Sequence, residues 1–232
     1  MRMQNLNLPI SIIVLCRNEA PNLEILLPRL AGIGQELMLV DGHSTDNTKE
    51  LAKKYGARHI LDNGFGKGDG IRVGIANATK EICVFLDADL SHNPQDIPSM
   101  VEPILEGRAD MILGSRMRGG GDEFIATTQM LIRLFGNMGL TWLINLRCGS
   151  KLSDSQKGFR AAKTSLLKSL NLISKRHTIE LEMVMRALRK GARVVEVPAH
   201  EYERHLGDSS LSIIEQGPLF FWILLRECFR PL

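Results

Sequence analysis

Short apolar runs alternate with stretches of helical period along the first half of the chain. The runs fall at residues 10–16, 37–40, 58–61, 82–86 and 111–113, and the helical stretches at 21–30, 45–55, 68–77 and 94–106. Capping chemistry agrees with these bounds. Ser44 or Asp46 can accept the orphan amides of the second helix, and Gly56 and Gly107 offer left-handed exits. Such alternation predicts an α/β domain with a Rossmann-like, mostly parallel sheet flanked by helices on both faces.

The second half changes character. Between residues 124 and 146 only Arg133 is charged, so this segment is either a thoroughly buried helix or one that touches lipid, with Gly136, Asn137 and Gly139 expected to interrupt it. A helix is expected over 178–190, ended by Gly191, and then a strand over 194–197 stopped by Pro198. Residues 219–225 are seven apolar positions in a row. That is far short of the roughly 20 a spanning helix requires. Three of the twelve aromatic residues fall at 220–222, with Arg226 and Arg230 after them. This is the pattern of an interfacial anchor, though a last helix packed on the core or a subunit contact has the same pattern. The apolar stretch 8–16 reads as a first strand and not a signal peptide. The expected organisation is one domain over 1–211 and a C-terminal apolar helix over 212–232.

Composition narrows the classes. A chain of 232 residues, 44% hydrophobic and 24% charged, describes one globular domain. With 29 basic and 26 acidic side chains the net charge is only +3, too weak a field to hold a nucleic acid. Cys16, Cys83, Cys148 and Cys228 form no C-x-x-C pair, which makes a reduced, intracellular protein the default.

The strongest chemical signal is Asp87-Ala88-Asp89 directly after the run ending at Leu86. Residues two apart on an extended chain point the same way, so both carboxylates can face one site at the carboxyl end of a strand. Paired carboxylates repel unless a cation sits between them, and oxygen donors favour Mg²⁺ or Mn²⁺ completed by phosphate oxygens. A solvated turn is the plain alternative. Asp41 occupies an equivalent strand-end position, where it can accept hydrogen bonds from a nucleobase or ribose, or help cap the next helix. Residues 64–70 are glycine-dense and carry Lys67, which can bring a cation to phosphate, yet they match neither phosphate-binding fingerprint and also suit a flexible turn. Arg116 and Arg118 are expected on a mobile loop suited to an anionic group, and Arg204 and His205 in a polar loop that can reach phosphate. Besides His205, only His43 and His92 among the histidines lie near these segments. No G-x-S-x-G or H-E-x-x-H motif competes.

Taken in order, these segments resemble the family-2 glycosyltransferases of the GT-A fold, in the branch that contains dolichyl-phosphate mannosyltransferase. The resemblance runs over residues 11–211. It rests on Ser11-Ile12-Ile13-Val14 through Arg17-Asn18-Glu19, on Val40-Asp41-Gly42-His43-Ser44-Thr45-Asp46, and on Gly66-Lys67-Gly68. Asp87 through Pro94, Gly114-Ser115-Arg116, Gly158-Phe159-Arg160 and Glu196-Val197-Pro198 complete it. It implies a single GT-A domain that transfers mannose or glucose from GDP-mannose or UDP-glucose to a polyprenyl (dolichyl-type) phosphate, with inversion. Leu15, Arg17, Glu19, Asp41, Lys67 and Asp87 are then expected at the nucleotide sugar, and Asp87, Asp89 and Ser91 at the metal. Arg116, Arg133 and Arg204 are expected at the acceptor phosphate, with Asp89 and Arg116 central to catalysis. The family usually has Pro and Tyr where this chain has Leu15 and Arg17, a second Asp at Gly42, a Gln in some members at Ser91 and a Lys at Ser210.

A phosphate acceptor already carries charge near neutrality and demands no general base. An acceptor anchored in lipid turns the segments at 124–146 and 220–222 into expected interfacial helices. Peripheral attachment on the cytoplasmic face, directly or through a membrane partner subunit, follows. The rival enzyme reading is transfer to a hydroxyl, with Glu180 or Glu182 as base, and a further rival is an inactive nucleotide-binding module.

Overall fold

The computed structural model describes residues 6–120, 128–202 and 213–230, with the backbone alone at 128–133 and 213–216. Its centre is a seven-stranded sheet made of β1 (Leu8–Cys16), β2 (Gly34–Asp41), β3 (Arg58–Leu61), β4 (Ile82–Asp87), β5 (Met111–Ser115), β6 (Arg160–Lys163) and β7 (Val194–Pro198). The order across the sheet is β3-β2-β1-β4-β6-β5-β7. Only β6 runs against its neighbours β4 and β5. Nine helices are described: α1 (Ala20–Leu30), α2 (Thr48–Lys54), α3 (Lys67–Asn77), α4 (Ile97–Leu105), α5 (Arg116–Gly119), α6 (Thr128–Cys148), α7 (Thr164–Ser169), α8 (Ile179–Arg189) and α9 (Ile213–Phe229).

Two apolar layers enclose the sheet, as expected of strands buried on both faces. Ile10, Ile12, Val14 and Cys16 of β1 join Leu23, Leu26, Leu27 and Leu30 of α1 and Ile97, Met100, Val101 and Ile104 of α4. Each of those helices presents the spacing i, i+3, i+4, i+7, which places its four apolar side chains on one stripe. Ile13 faces the other layer with Ile71 and Ile75 of α3, residues of α8, Ile144 of α6 and Ile223 and Leu224 of α9.

Two sequence expectations need correction. Gly136, Asn137 and Gly139 do not interrupt α6, which runs unbroken because Asn137, Thr141 and Asn145 stand four apart and dock its length onto one loop. Asn137 Nδ2 donates to Asp154 Oδ1 at 3.0 Å, Thr141 Oγ1 lies 2.9 Å from Ser155 Oγ, and Asn145 Oδ1 accepts from the Leu152 amide at 2.9 Å. Arg116 and Arg118 belong to a helical turn held by ion pairs, not to a loose loop.

The same α6 is apolar on two sides. Asn137, Thr141, Ile144 and Asn145 face the protein, while Phe135 (67% exposed), Met138 (45%), Trp142 (63%) and Leu146 (70%) form an outer stripe. Phe221 (55%), Trp222 (63%), Leu225 (36%) and Phe229 (83%) form a similar stripe on α9. The helices touch where the Arg147 guanidinium donates to the Cys228 carbonyl at 2.9 Å. Among the described residues, no helix is long and apolar enough to cross a membrane.

Candidate active site

Six parallel strands end on one rim of the sheet, four of them at Cys16, Asp41, Asp87 and Ser115. Because β6 is antiparallel, it starts on that rim, and the segment leading into it at 152–159 crosses the same strand ends. Ligands of open α/β sheets collect at such ends.

Asp87 closes β4, with Oδ2 2.8 Å from the Lys67 ammonium. Burial pushes this carboxyl up, but the adjacent Lys67 outweighs it and holds it at about 2. Lys67 also lies 2.9 Å from Glu180 Oε1, and these two acids raise its proton affinity against the opposing effect of burial. Lys67 stands where α3 begins. The amides of Gly68 and Asp69 donate to the Lys175 carbonyl at 2.9 and 3.2 Å, which engages these two within the protein. Gly68 is required there because a Cβ would meet the Ser174 carbonyl at 2.5 Å.

Asp89 is buried at the next turn, where its Oδ1 accepts from the Ser91 amide at 3.1 Å and the Ser91 hydroxyl at 2.6 Å. The turn places Leu90 at a φ of 65°. A bulky residue in the left-handed region stores strain, a feature that collects at functional sites. The Ser91 proton goes to Asp89, so His92 Nδ1, 3.1 Å away, is the donor to Ser91 Oγ, and His92 Nε2 is left buried without a hydrogen-bond partner. Burial and the nearby Lys157 lower the His92 imidazole to about 4, which keeps it neutral at pH 7.

Leu15 pairs in register with Asp87 on one side and Val40 on the other. Arg17 is exposed, and its stem covers Gly42, where a Cβ would meet Arg17 Cβ at 3.4 Å. Glu19 accepts from Asn22 Nδ2 at 2.6 Å. Asp41 is buried, and its oxygens are held within the protein. Oδ1 accepts from the Ser44 amide at 2.8 Å and hydroxyl at 2.6 Å, and Oδ2 lies 2.8 Å from His59 Nε2.

Arg116 opens α5 and grips Asp154 with two donors, Nε to Oδ2 at 2.7 Å and Nη2 to Oδ1 at 3.2 Å. Its Nη1 lies 3.0 Å from Glu201 Oε2, which also lies 2.9 Å from the buried Lys157 ammonium. Burial lowers both cations; for Arg116 the two acids prevail and raise it, whereas Lys157 stays below its ordinary value. Glu196 fixes the approach of this segment by accepting from the amides of Ser153 at 2.8 Å and Asp154 at 2.6 Å. Arg133 lies on α6, but its side chain, like Arg204, His205 and Ser210, is outside the described residues.

The rim thus gathers Leu15, Glu19, Asp41, Lys67, Asp87, Asp89, Ser91 and Arg116. It adds Asp154, Lys157 and Glu201, which the sequence analysis missed and which no local motif or spacing marks. Among the described residues no group of three or more His, Cys, Asp and Glu side chains is assembled to hold a metal. Asp87 and Asp89 offer hard oxygen donors whose cation would complete its shell from water or phosphate.

Comparison with known proteins identifies the framework. The family model for glycosyl transferase family 2 matches residues 11–170. An uncharacterized protein of Methanocaldococcus jannaschii is 32% identical over 203 residues, covering 84% of this chain and 82% of that protein. Glycosyltransferase AglJ of Haloferax volcanii is 30% identical over 196 residues, 82% of this chain and 62% of its own length. Glucosyl-3-phosphoglycerate synthase from Mycobacterium tuberculosis, solved with Mn²⁺, UDP and glucosyl-3-phosphoglycerate, superposes with a TM-score of 0.72 at 21% identity, covering 96% of this chain and 81% of that one. The fold is therefore that of a GT-A glycosyltransferase, and the chain belongs to glycosyl transferase family 2.

Proposed function

We propose that this glycosyltransferase transfers a hexose from GDP-mannose or UDP-glucose to a polyprenyl (dolichyl-type) phosphate at a membrane surface, with Mg²⁺ or Mn²⁺ held by Asp87 and Asp89. The observation that carries the acceptor class is the state of the two glutamates a hydroxyl acceptor would need as base. Glu180 is paired with Lys67. Glu182 is buried, accepts from the amides of Ile173 and Ser174, and pairs with Arg186 and Arg226. A phosphomonoester, with a second pKa of about 6, is already a nucleophile at neutral pH and asks neither of them for help.

In the reaction, an acceptor phosphate oxygen attacks the anomeric carbon and forms the new C–O bond. The bond from that carbon to the β-phosphate oxygen breaks, and its electron pair leaves with the nucleoside diphosphate. Attack opposite the leaving group inverts the centre. A divalent cation, when bound, neutralises the charge that develops on the leaving diphosphate. Structures of glucosyl-3-phosphoglycerate synthase with Mn²⁺ and UDP-glucose, and with Mg²⁺ and UDP, support this choice of metal and donor class. Lys67 faces the donor phosphates, and Leu15, Arg17, Glu19 and Asp41 surround the nucleoside. Arg116, with Arg133 and Arg204, receives the acceptor phosphate.

The exposed apolar stripes of α6 and α9 support the membrane face. Glu227 is the one carboxylate among the described side chains of these two helices, and it is buried, whereas Arg147, Arg226 and Arg230 lie at their ends. Exposed tryptophan and phenylalanine with arginine at the margin suit the headgroup boundary of an anionic bilayer.

The test offers radiolabelled GDP-mannose and UDP-glucose, with Mg²⁺, Mn²⁺ or EDTA, to vesicles carrying polyprenyl phosphate and to hydroxyl acceptors. Cation-dependent label in the lipid extract is expected. Transfer to the hydroxyl acceptors alone would overturn the acceptor assignment.

A further inference from the structure

Lys67 bridges two acids that belong to different parts of the fold. Asp87 ends β4, whereas Glu180 sits in the first turn of α8. The segment before α8 is locked to the start of α3. Besides the amides of Gly68 and Asp69 on the Lys175 carbonyl, Arg72 Nη1 donates to the Ser174 carbonyl at 2.6 Å. Lys67 and Glu180 thus stand at the starts of two helices tied to each other, and Asp87 at the end of a strand.

Gly158 lets the three charges meet. A Cβ there would lie 2.8 Å from Asp87 Oδ2, 3.3 Å from Lys67 Nζ and 3.4 Å from Glu180 Oε1. Glu180 is buried, and its backbone is pinned by Arg160 Nη1, which donates to the Glu180 carbonyl at 3.1 Å. Its carboxylate is thus fixed beside the ammonium and away from solvent.

The arrangement poses a problem of exchange. Asp87 Oδ2 is occupied by an ammonium, and a divalent cation drawn to that carboxylate meets a like charge already in contact with it. We propose that Glu180 is a positioning residue that retains Lys67 as Asp87 releases it, so that the carboxylate becomes available to the cation and the ammonium remains on the rim to face the donor diphosphate. This inference rests on the cation and donor assigned above. Without the Glu180 charge, Lys67 has Asp87 as its one anionic contact among the described residues and competes with the cation for it.

The experiment measures Mn²⁺ binding by electron paramagnetic resonance on the full chain with saturating UDP or GDP, and measures transfer as a function of Mn²⁺ concentration. Glu180→Gln is expected to weaken Mn²⁺ binding about tenfold and to raise the Mn²⁺ needed for half-maximal transfer by a similar factor, with kcat within about threefold of wild type. The double variant Lys67→Met/Glu180→Gln removes the competitor together with its holder, and it is expected to bind Mn²⁺ within about threefold of wild type. A merely structural Glu180 gives no such recovery. Unchanged Mn²⁺ binding in Glu180→Gln, or a double variant as weak as the single one, overturns the inference while leaving the cation assignment standing. Failure of the wild-type chain to bind Mn²⁺ with either nucleotide removes both.

Discussion

Arg116 and Asp154 meet side-on, with Nε 2.7 Å from Oδ2 and Nη2 3.2 Å from Oδ1, although 38 residues separate them in the chain. The third nitrogen, Nη1, lies 3.0 Å from Glu201 Oε2. Asp154→Ala leaves a partly buried cation with Glu201 as its one anionic partner among the described residues. The expected loss is about 3 kcal/mol, typical of a buried pair deprived of one partner. Urea unfolding reads it, and a loss below about 1 kcal/mol would show that the pair carries little.

Gly158→Ala places a methyl group 2.8 Å from Asp87 Oδ2, a separation that forces the carboxylate to move. Overpacking of this kind costs about 1–3 kcal/mol. The effect on chemistry is larger, because a misplacement of roughly 1 Å at a reacting centre can cost about a hundredfold. Steady-state sugar transfer is the measurement, and near-normal kcat/KM would separate Asp87 from the reaction.

Acid stability has a defined sign at Glu227. Burial pushes this carboxyl up, but Arg186 and then Arg226 outweigh it and hold it below the ordinary glutamate value. A carboxyl depressed in the folded state contributes stability that is fully present above its unfolded value, about 4.3, and is lost as pH falls through the folded one. Glu227→Gln is expected to be less stable than wild type at pH 7 and to lose less on acidification below about pH 4.3. Denaturant titrations across that interval test this; parallel curves for the two proteins would contradict it.

The apolar outer stripes make a prediction about location. Trp142→Asp combined with Trp222→Asp changes two exposed side chains. Thermal stability is expected to be preserved while sedimentation with phosphatidylglycerol vesicles falls at least about tenfold. Undiminished sedimentation would remove lipid as the occupant of this face, and conversion of a dimer to monomers in the double variant would assign it to a second copy.

The strands β1, β2, β4, β5 and β7 were legible because each is built on a compact run of apolar residues near turn chemistry, and β3, Arg-His-Ile-Leu, from its place in the alternation of strands and helices. β6 was not. Its sequence Arg-Ala-Ala-Lys looks like a surface segment, yet it lies between two buried strands and Arg160 spends its donors on carbonyls, including that of Glu180. At the rim, Asp87 and Asp89 could be found from local spacing alone. Asp154, Lys157 and Glu201 could not, because what singles them out is contact with Arg116 and with one another across the fold. Gly136 and Gly139 misled for a related reason: helix propensity is a weak prior, and the side chains that dock α6 on the 152–155 turn override it.

The reversed direction of β6 has an architectural result. The chain leaves the rim after β5, makes its excursion through α6, and returns to the same rim to enter β6, so both ends of that excursion are anchored side by side. Leu113 and Phe85 both stand opposite Arg160, closing the sheet beneath it. Both ends of the excursion are thus fixed by the sheet, while α6 between them is held by the 152–155 turn and by Ile144 in the core.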